Sequence, residues 1–295
     1  MKAKTILSTL ILSLIMDMPN YGMLMDTKDL FRDITTRYNI VVRCNLGPDF
    51  FPQFWNNEPI AVKASEITES QVKRFPAILL KALSKYPDDL IQNNLKGIYL
   101  TKDLHLFKVR HGGFAFNNTI YIAAGGSESG VMDYEIILRV HHEITHLLMA
   151  NYSFPISEWF ETSTGGMKYR YPQEGGVKAI MEGNCSPEGT EDLYKNGFVN
   201  QYASSHYKED FSEFSAYALT YPLMMGSKRS AHLLPILLRY LIEPNPSNYS
   251  VESFPYLSGG RQVHGFRLSQ YSTIPSPKLR KPPAHSHRGP LTADS

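Results

Sequence analysis

Val140-His141-His142-Glu143-Ile144-Thr145-His146-Leu147-Leu148 decides how this chain is read. It contains HExxH at His142, Glu143 and His146. On a helix, residues four apart lie one turn apart on the same face. That spacing lets His142 and His146 hold one zinc ion, and lets Glu143 reach a water beside it and act as general base. The surrounding sequence favours a helix. Asp133 to Ala150 lacks Gly and Pro, and Ile136, Ile137, Val140, Ile144, Leu147 and Leu148 recur at helical spacing. These apolar residues predict a buried flank with the histidines turned to a cleft. The blander alternative is a core helix with two satisfied histidines, because three fixed positions also arise by chance. His141 has no partner in register, since position 145 is Thr, and reads as a residue of the core or of the support behind the site.

Two histidines leave a zinc site incomplete. A catalytic site takes a third protein ligand and keeps one position open. No HExxHxxGxxH continuation follows Met149. The best source is Tyr207-Lys208-Glu209-Asp210-Phe211-Ser212-Glu213-Phe214-Ser215-Ala216-Tyr217, read as a helix with Phe211, Phe214 and Ala218 inward. Glu209 and Glu213 are four apart and share another face. One carboxylate can bind the metal while the other accepts the ring N–H of a liganding histidine and fixes its tautomer. An ordinary solvated acidic face is the competing explanation.

HHEITHLL, then Gly197-Phe198-Val199-Asn200-Gln201-Tyr202-Ala203, then Glu209-Asp210-Phe211-Ser212-Glu213-Phe214, resembles the anthrax lethal-factor-like zinc peptidases. It resembles still more the related bacterial "putative zinc-binding metallopeptidase" group. Both are gluzincins, whose third ligand is a glutamate. The resemblance covers about residues 65–242 and includes Ala82–Pro87, Lys96–Thr101 and the Gly112–Ala123 stretch. It implies an α+β, zincin-like metallopeptidase domain with a small mixed sheet and an HExxH active-site helix. It implies Glu209 as third ligand, Glu213 as the carboxylate behind a ligand, and Tyr202 as the tyrosine supporting the transition state. A phenol beside the metal can donate to the developing oxyanion. His206, three residues before Glu209, is a rival donor or a supporting residue. Ser212, where alanine is usual, and the basic tail depart from the group's pattern without touching the metal ligands.

The remaining sequence sets the frame. The 295 residues are 42% hydrophobic, enough for a sizeable core. The formal net charge is +2, but residues 261–295 carry six cations against Asp294, a net of +5, which leaves −3 on residues 1–260. A mildly acidic globular part argues against nucleic acid as a partner. Lys2 and Lys4 precede an apolar run from Ile6 to Met16, so residues 1–22 read as a signal peptide or N-terminal anchor. This predicts a secreted or envelope location, with membrane attachment only if that segment is retained. Residues 23–243 read as the peptidase domain, and the Pro-rich, basic residues 244–295 as a disordered tail. Cys44 and Cys185 are the two cysteines, and spacing alone does not say whether they pair.

Several elements follow from local pattern. Helices are expected at Asp26–Arg37, at Ser65–Tyr86 with a kink or break at Pro76, and at Ser227–Glu243 with a kink at Pro235. Strands are expected at Tyr38–Arg43, Lys96–Thr101 and Leu104–Arg110, with a hairpin at Phe114–Ala123 turning on Asn117-Asn118. Residues 46–60 and 151–200 read as loops. Tyr and Trp of the second loop either line a substrate pocket or pack onto their own domain. The expected function is peptide hydrolysis by a zinc-activated water with one Zn²⁺ per chain, by a monomer acting on peptide or protein. The alternatives are a secreted zinc-binding or peptide-binding protein on the same fold without turnover, and an adhesive protein whose HExxH is accidental. An intact Glu143 favours turnover.

Overall fold

The computed structural model describes residues 27–125, 131–163, 168–221 and 228–242. The signal-like N-terminal segment, the basic tail and the 126–130 connection lie outside them.

The HExxH stretch forms the centre of α5, Asp133–Asn151, the longest helix described. Nothing in its interior interrupts the hydrogen-bond ladder. At its N-terminus Glu135 Oε2 accepts the Met132 N–H at 2.7 Å, satisfying one of the donors a helix start leaves open. At its C-terminus the Tyr240 hydroxyl contacts the carbonyls of Leu148 and Tyr152 at 2.9 and 3.1 Å. Ile136, Ile137, Val140, Ile144, Leu147 and Leu148 are all buried, as their spacing predicts.

A four-stranded sheet lies beside this helix, in the order β1 (Val41–Arg43), β3 (Gly97–Thr101), β7 (Thr119–Ala123), β6 (Gly113–Phe116). The first three are parallel, and β6 pairs antiparallel with β7, Gly113 opposite Ile122 and Phe116 opposite Thr119. Asn117 and Asn118 make the turn with φ of 48° and 60°, a left-handed pair that asparagine tolerates. Alternation sorts the strand residues into two faces. Ile98, Leu100, Ile120 and Ile122 join one core with α5 and with α3 (Phe75–Leu83). Tyr99 and Tyr121 point the other way, onto Phe50, Phe51 and Trp55. Residues 46–60 are therefore a cover for the sheet's second face, with a short 3₁₀ turn at Gln53–Asn56. Trp55 is fully buried, and its truncation to alanine is expected to cost about 3–5 kcal/mol.

The expected Leu104–Arg110 strand is instead a hairpin, β4 (Asp103–Leu106) and β5 (Val109–Arg110), turning on Phe107 and Lys108 at positive φ. β4 also pairs with β2 (Lys63–Ser65), so Ser65, expected to open a helix, ends a strand instead. The expected 65–86 helix is two helices, α2 (Glu69–Val72) and α3, and Pro76 sits in the first turn of the second. There its missing N–H costs nothing. The first helix, α1, spans Thr27–Tyr38, and α4 spans Asp88–Asn94. β1 is shorter than predicted, because Asn39 at φ 51° ends the turn out of α1.

The described residues of 151–200 are not a loop throughout. They hold α6 (Ile156–Ser163), α7 (Gly175–Met181) and α8 (Glu191–Lys195). Trp159 Nε1 and the Tyr169 hydroxyl both donate to Asp210 Oδ2, at 3.1 and 2.8 Å. Asp210 is almost fully buried on α9, Tyr207–Thr220. These aromatics anchor the segment to α9 rather than lining a pocket. The last described helix, α10 (Lys228–Ile242), contains Pro235. Cys44 and Cys185 are both free thiols. No helix among the described residues is long and apolar enough to cross a membrane.

Candidate metal centre

Helices α5 and α9 pack face to face, and the facing polar residues make the site. His142 and His146 come from α5. Glu209 comes from the first turn of α9. His142 Nε2 and His146 Nε2 lie 3.0 Å apart, and Glu209 Oε2 lies 3.3 and 3.2 Å from them. Three ligand atoms at the corners of a tetrahedron with metal–ligand bonds of 2.0–2.1 Å would stand about 3.3 Å apart. The triangle is therefore close to the size that zinc requires. The same three residues form a group able to hold a metal ion.

The protonation pattern agrees with that use. His142 Nδ1 faces Glu213 Oε1 at 2.8 Å. A carboxylate there favours the proton on Nδ1, so the neutral ring presents its Nε2 lone pair to the centre of the triangle. The His142 Nε2 lone pair and a Glu209 carboxylate oxygen then face each other across the triangle, with His146 Nε2 at its third corner. A proton or a cation must sit among them. In the metal-free protein the proton takes that part. Burial pushes His142 toward the neutral form, but Glu209 and Glu213 outweigh it and hold its pKa well above the ordinary value. Burial likewise works against ionised Glu209, yet His146 and His142 hold its pKa well below the usual carboxylate range.

Glu213 is itself held. Its Oε2 accepts from Asn200 Nδ2 at 2.5 Å, and Asn200 Oδ1 accepts the Ala203 N–H at 2.8 Å. Asn200 is fully buried. The turn that carries Tyr202 is thus linked through Asn200 and Glu213 to a histidine of the triangle. Tyr202 lies near-parallel to the His142 ring, centroids 6.0 Å apart. Burial, then the charges of Glu209, Glu143 and Glu213, raise its pKa well above normal, so it remains a protonated donor.

Glu143 is buried on the same helix, beside the triangle rather than in it. Burial raises its pKa, the two histidines oppose this, and Glu209 and Glu213 add to it. Two glycines make room around these groups. A Cβ at Gly113 of β6 would lie 2.6 Å from Glu143 Oε1. A Cβ at Gly176 of α7 would lie 2.6 Å from Glu209 Cδ, and closer still to Glu209 Oε1 and the Tyr202 hydroxyl.

His206 caps α9, its Nδ1 accepting the Lys208 N–H at 3.2 Å. The proton of its neutral ring is left on Nε2. Burial pushes its pKa down to about 4. His141 is fully buried with Nδ1 2.8 Å from the Tyr86 hydroxyl, and burial pushes it down to about 3.

The structure thus brings together His142, Glu143, His146, Tyr202, Glu209 and Glu213, with His206 at the end of the helix that carries Glu209. Asn200, Asp210, Gly113 and Gly176 had no assigned role in the sequence reading. The Gly175-Gly176 pair was a visible signal, but it reads equally as a loop.

Residues 104–225 match a family model described as "Putative zinc-binding metallo-peptidase". That segment contains every site residue named above. No curated protein matches the chain. Among solved structures, the chain is similar to one described as a putative zinc-binding metallo-peptidase from Bacteroides caccae. The identity is 16%, over 79% of this chain and 82% of that one, with a TM-score of 0.42.

Proposed function

We propose that this chain is a zinc-dependent peptidase of gluzincin type, with His142, His146 and Glu209 as the metal ligands. The observation that carries the reading is the triangle of two Nε2 atoms and Glu209 Oε2, with buried Glu143 beside it. The family description matched over residues 104–225 supports it. Zinc, when bound, supplies a Lewis acid that polarises a carbonyl and acidifies water.

The side chains divide the remaining work. Glu143 takes a proton from the attacking water and passes it to the leaving amine, so one water and one peptide bond yield a carboxylic acid and an amine. Its raised pKa brings it nearer to neutral pH, where one group serves as base and then acid. Tyr202 donates its hydroxyl to the carbonyl oxygen as negative charge develops there. Glu213 fixes the tautomer of His142, and Asn200 fixes Glu213. β6 is the outer strand of the sheet, and an extended substrate can add to its edge by backbone pairing.

The test is hydrolysis of a mixed peptide library by zinc-loaded protein. Cleavage is expected, is lost with a chelator, and returns with zinc. A protein with stoichiometric zinc that cleaves no peptide would overturn the reading.

A further inference from the structure

Arg139 stands on α5 four residues before Glu143, so both side chains occupy one face of the helix, one turn apart. Both meet the start of β6. Glu143 lies against Gly113, and a Cβ on Gly112 would lie 3.3 Å from Arg139 Nε. The Nη1 group donates to the carbonyl of Ala123, at the end of β7. That is its one hydrogen bond among the described residues, and no carboxylate among them lies within ion-pair distance.

Arg139 is half-buried. Burial, and then neighbouring Arg110, work against its charge, while Glu135 favours it. Glu135 already spends one oxygen on the Met132 N–H. Arg110, exposed on β5, has no ion pair among the described residues either. A guanidinium offers five N–H donors in a planar fork that fits a carboxylate. Here one donor is committed, and the rest sit beside the outer strand with no carboxylate at ion-pair distance among the described residues. One helical turn is about 5.4 Å, the reach of one or two residues of extended chain at about 3.3 Å each.

We propose that Arg139 determines specificity, by taking a carboxylate that the substrate carries within one or two residues of the scissile bond. The carboxylate belongs to an acidic side chain or to the substrate's own C-terminus, and Arg110 strengthens the field that attracts it. The proposal rests on reading the site as a peptidase.

Binding tests it without turnover. The probes are acetylated alanine–phenylalanine hexapeptides, with Glu or Gln placed at each position in turn and ending in either a free carboxylate or an amide. They are titrated calorimetrically into zinc-loaded Glu143→Gln protein. At one position, or at the C-terminus, the carboxylate form is expected to bind about 10- to 100-fold tighter than its amide counterpart. Which pair shows the preference identifies the source of the carboxylate. In the Arg139→Gln, Glu143→Gln double variant that ratio should fall to about one, with zinc content unchanged. A merely structural bond to Ala123 would shift stability without moving the ratio. Equal affinity across every pair, including no measurable binding of any, overturns the proposal. So does a preference that survives Arg139→Gln. The single-variant pairs decide the matter alone if the double variant does not fold. A carboxylate preference in a protein that never hydrolyses peptide upholds the proposal while removing the peptidase reading.

Discussion

Gly176 packs so closely against Glu209 that a single methyl group on it would stand 2.6 Å from the carboxyl carbon. Helix α7 therefore presents bare backbone to Glu209. Gly113 stands in the same relation to Glu143, from the opposite segment of chain. The two glycines guard different functions. Gly176→Ala is expected to displace Glu209 and Tyr202, lowering zinc affinity by roughly 10- to 100-fold along with hydrolysis. Gly113→Ala is expected to displace Glu143 and reduce kcat while zinc stays bound. Zinc titration against a chelating competitor, beside a peptide assay, separates them. Equal zinc loss in both variants would contradict the assignment.

The carboxylates beside the triangle should also fail differently. Glu143→Gln is expected to keep zinc and lose hydrolysis to near background. Glu213→Ala is expected to weaken zinc by roughly 10- to 100-fold and recover activity at saturating zinc, because Glu213 only orients His142. Asn200→Ala should follow Glu213→Ala in milder form, since Asn200 holds Glu213. The same zinc titrations at saturating and limiting metal check all three.

Tyr202→Phe removes one hydroxyl and is expected to lower kcat by roughly 10- to 1000-fold with KM little changed. His206 has its Nδ1 committed to capping α9, so His206→Ala should act mainly on stability. Steady-state kinetics of the two variants, with urea midpoints, test this. If His206→Ala shows the kcat loss and Tyr202→Phe does not, the donor is His206.

Acid should destabilise the fold. Burial pushes His141 down to about 3, and His111 and His206 to about 4. Against an ordinary histidine value near 6.5, the unfolded chain takes up protons that the folded chain refuses. The stabilisation these groups give is present above about 6.5 and is lost as pH falls toward 4. His142 and Glu143 oppose this in the metal-free protein, because the pKa of each is raised. Zinc bound at His142 Nε2 would remove the histidine's share of that opposition. Urea midpoints should therefore fall from pH 7 to 4, more steeply for zinc-loaded than for metal-free protein. A flat or reversed profile would count against these burial assignments.

What the sequence revealed depended on whether local pattern or distant packing decided the outcome. The α5 helix was legible because six apolar residues repeat at one spacing and no breaker interrupts them. The β6–β7 hairpin was legible because Asn117-Asn118 tolerates positive φ. Phe107 and Lys108 adopt the same backbone geometry without any residue that favours it, so β4 and β5 read as one strand. Pro76 marked a boundary, but not whether the helix bends there or begins there. Tyr202, Glu209 and Glu213 drew attention through spacing and resemblance. Asn200, Gly176 and Arg139 did not, because their significance lies in contacts with residues 13 to 33 positions away or across a strand. Asp210 holds Trp159 and Tyr169 in place, and nothing in its own neighbourhood distinguishes it from a solvated acid.

His142, His146 and Glu209 are expected to hold one zinc ion together. Elemental analysis of tag-free protein after dialysis tests it most directly, with wild type and Glu209→Ala run side by side. One zinc per chain is expected in wild type, with none retained in Glu209→Ala. No stoichiometric zinc in wild type, or full zinc in Glu209→Ala, would contradict it.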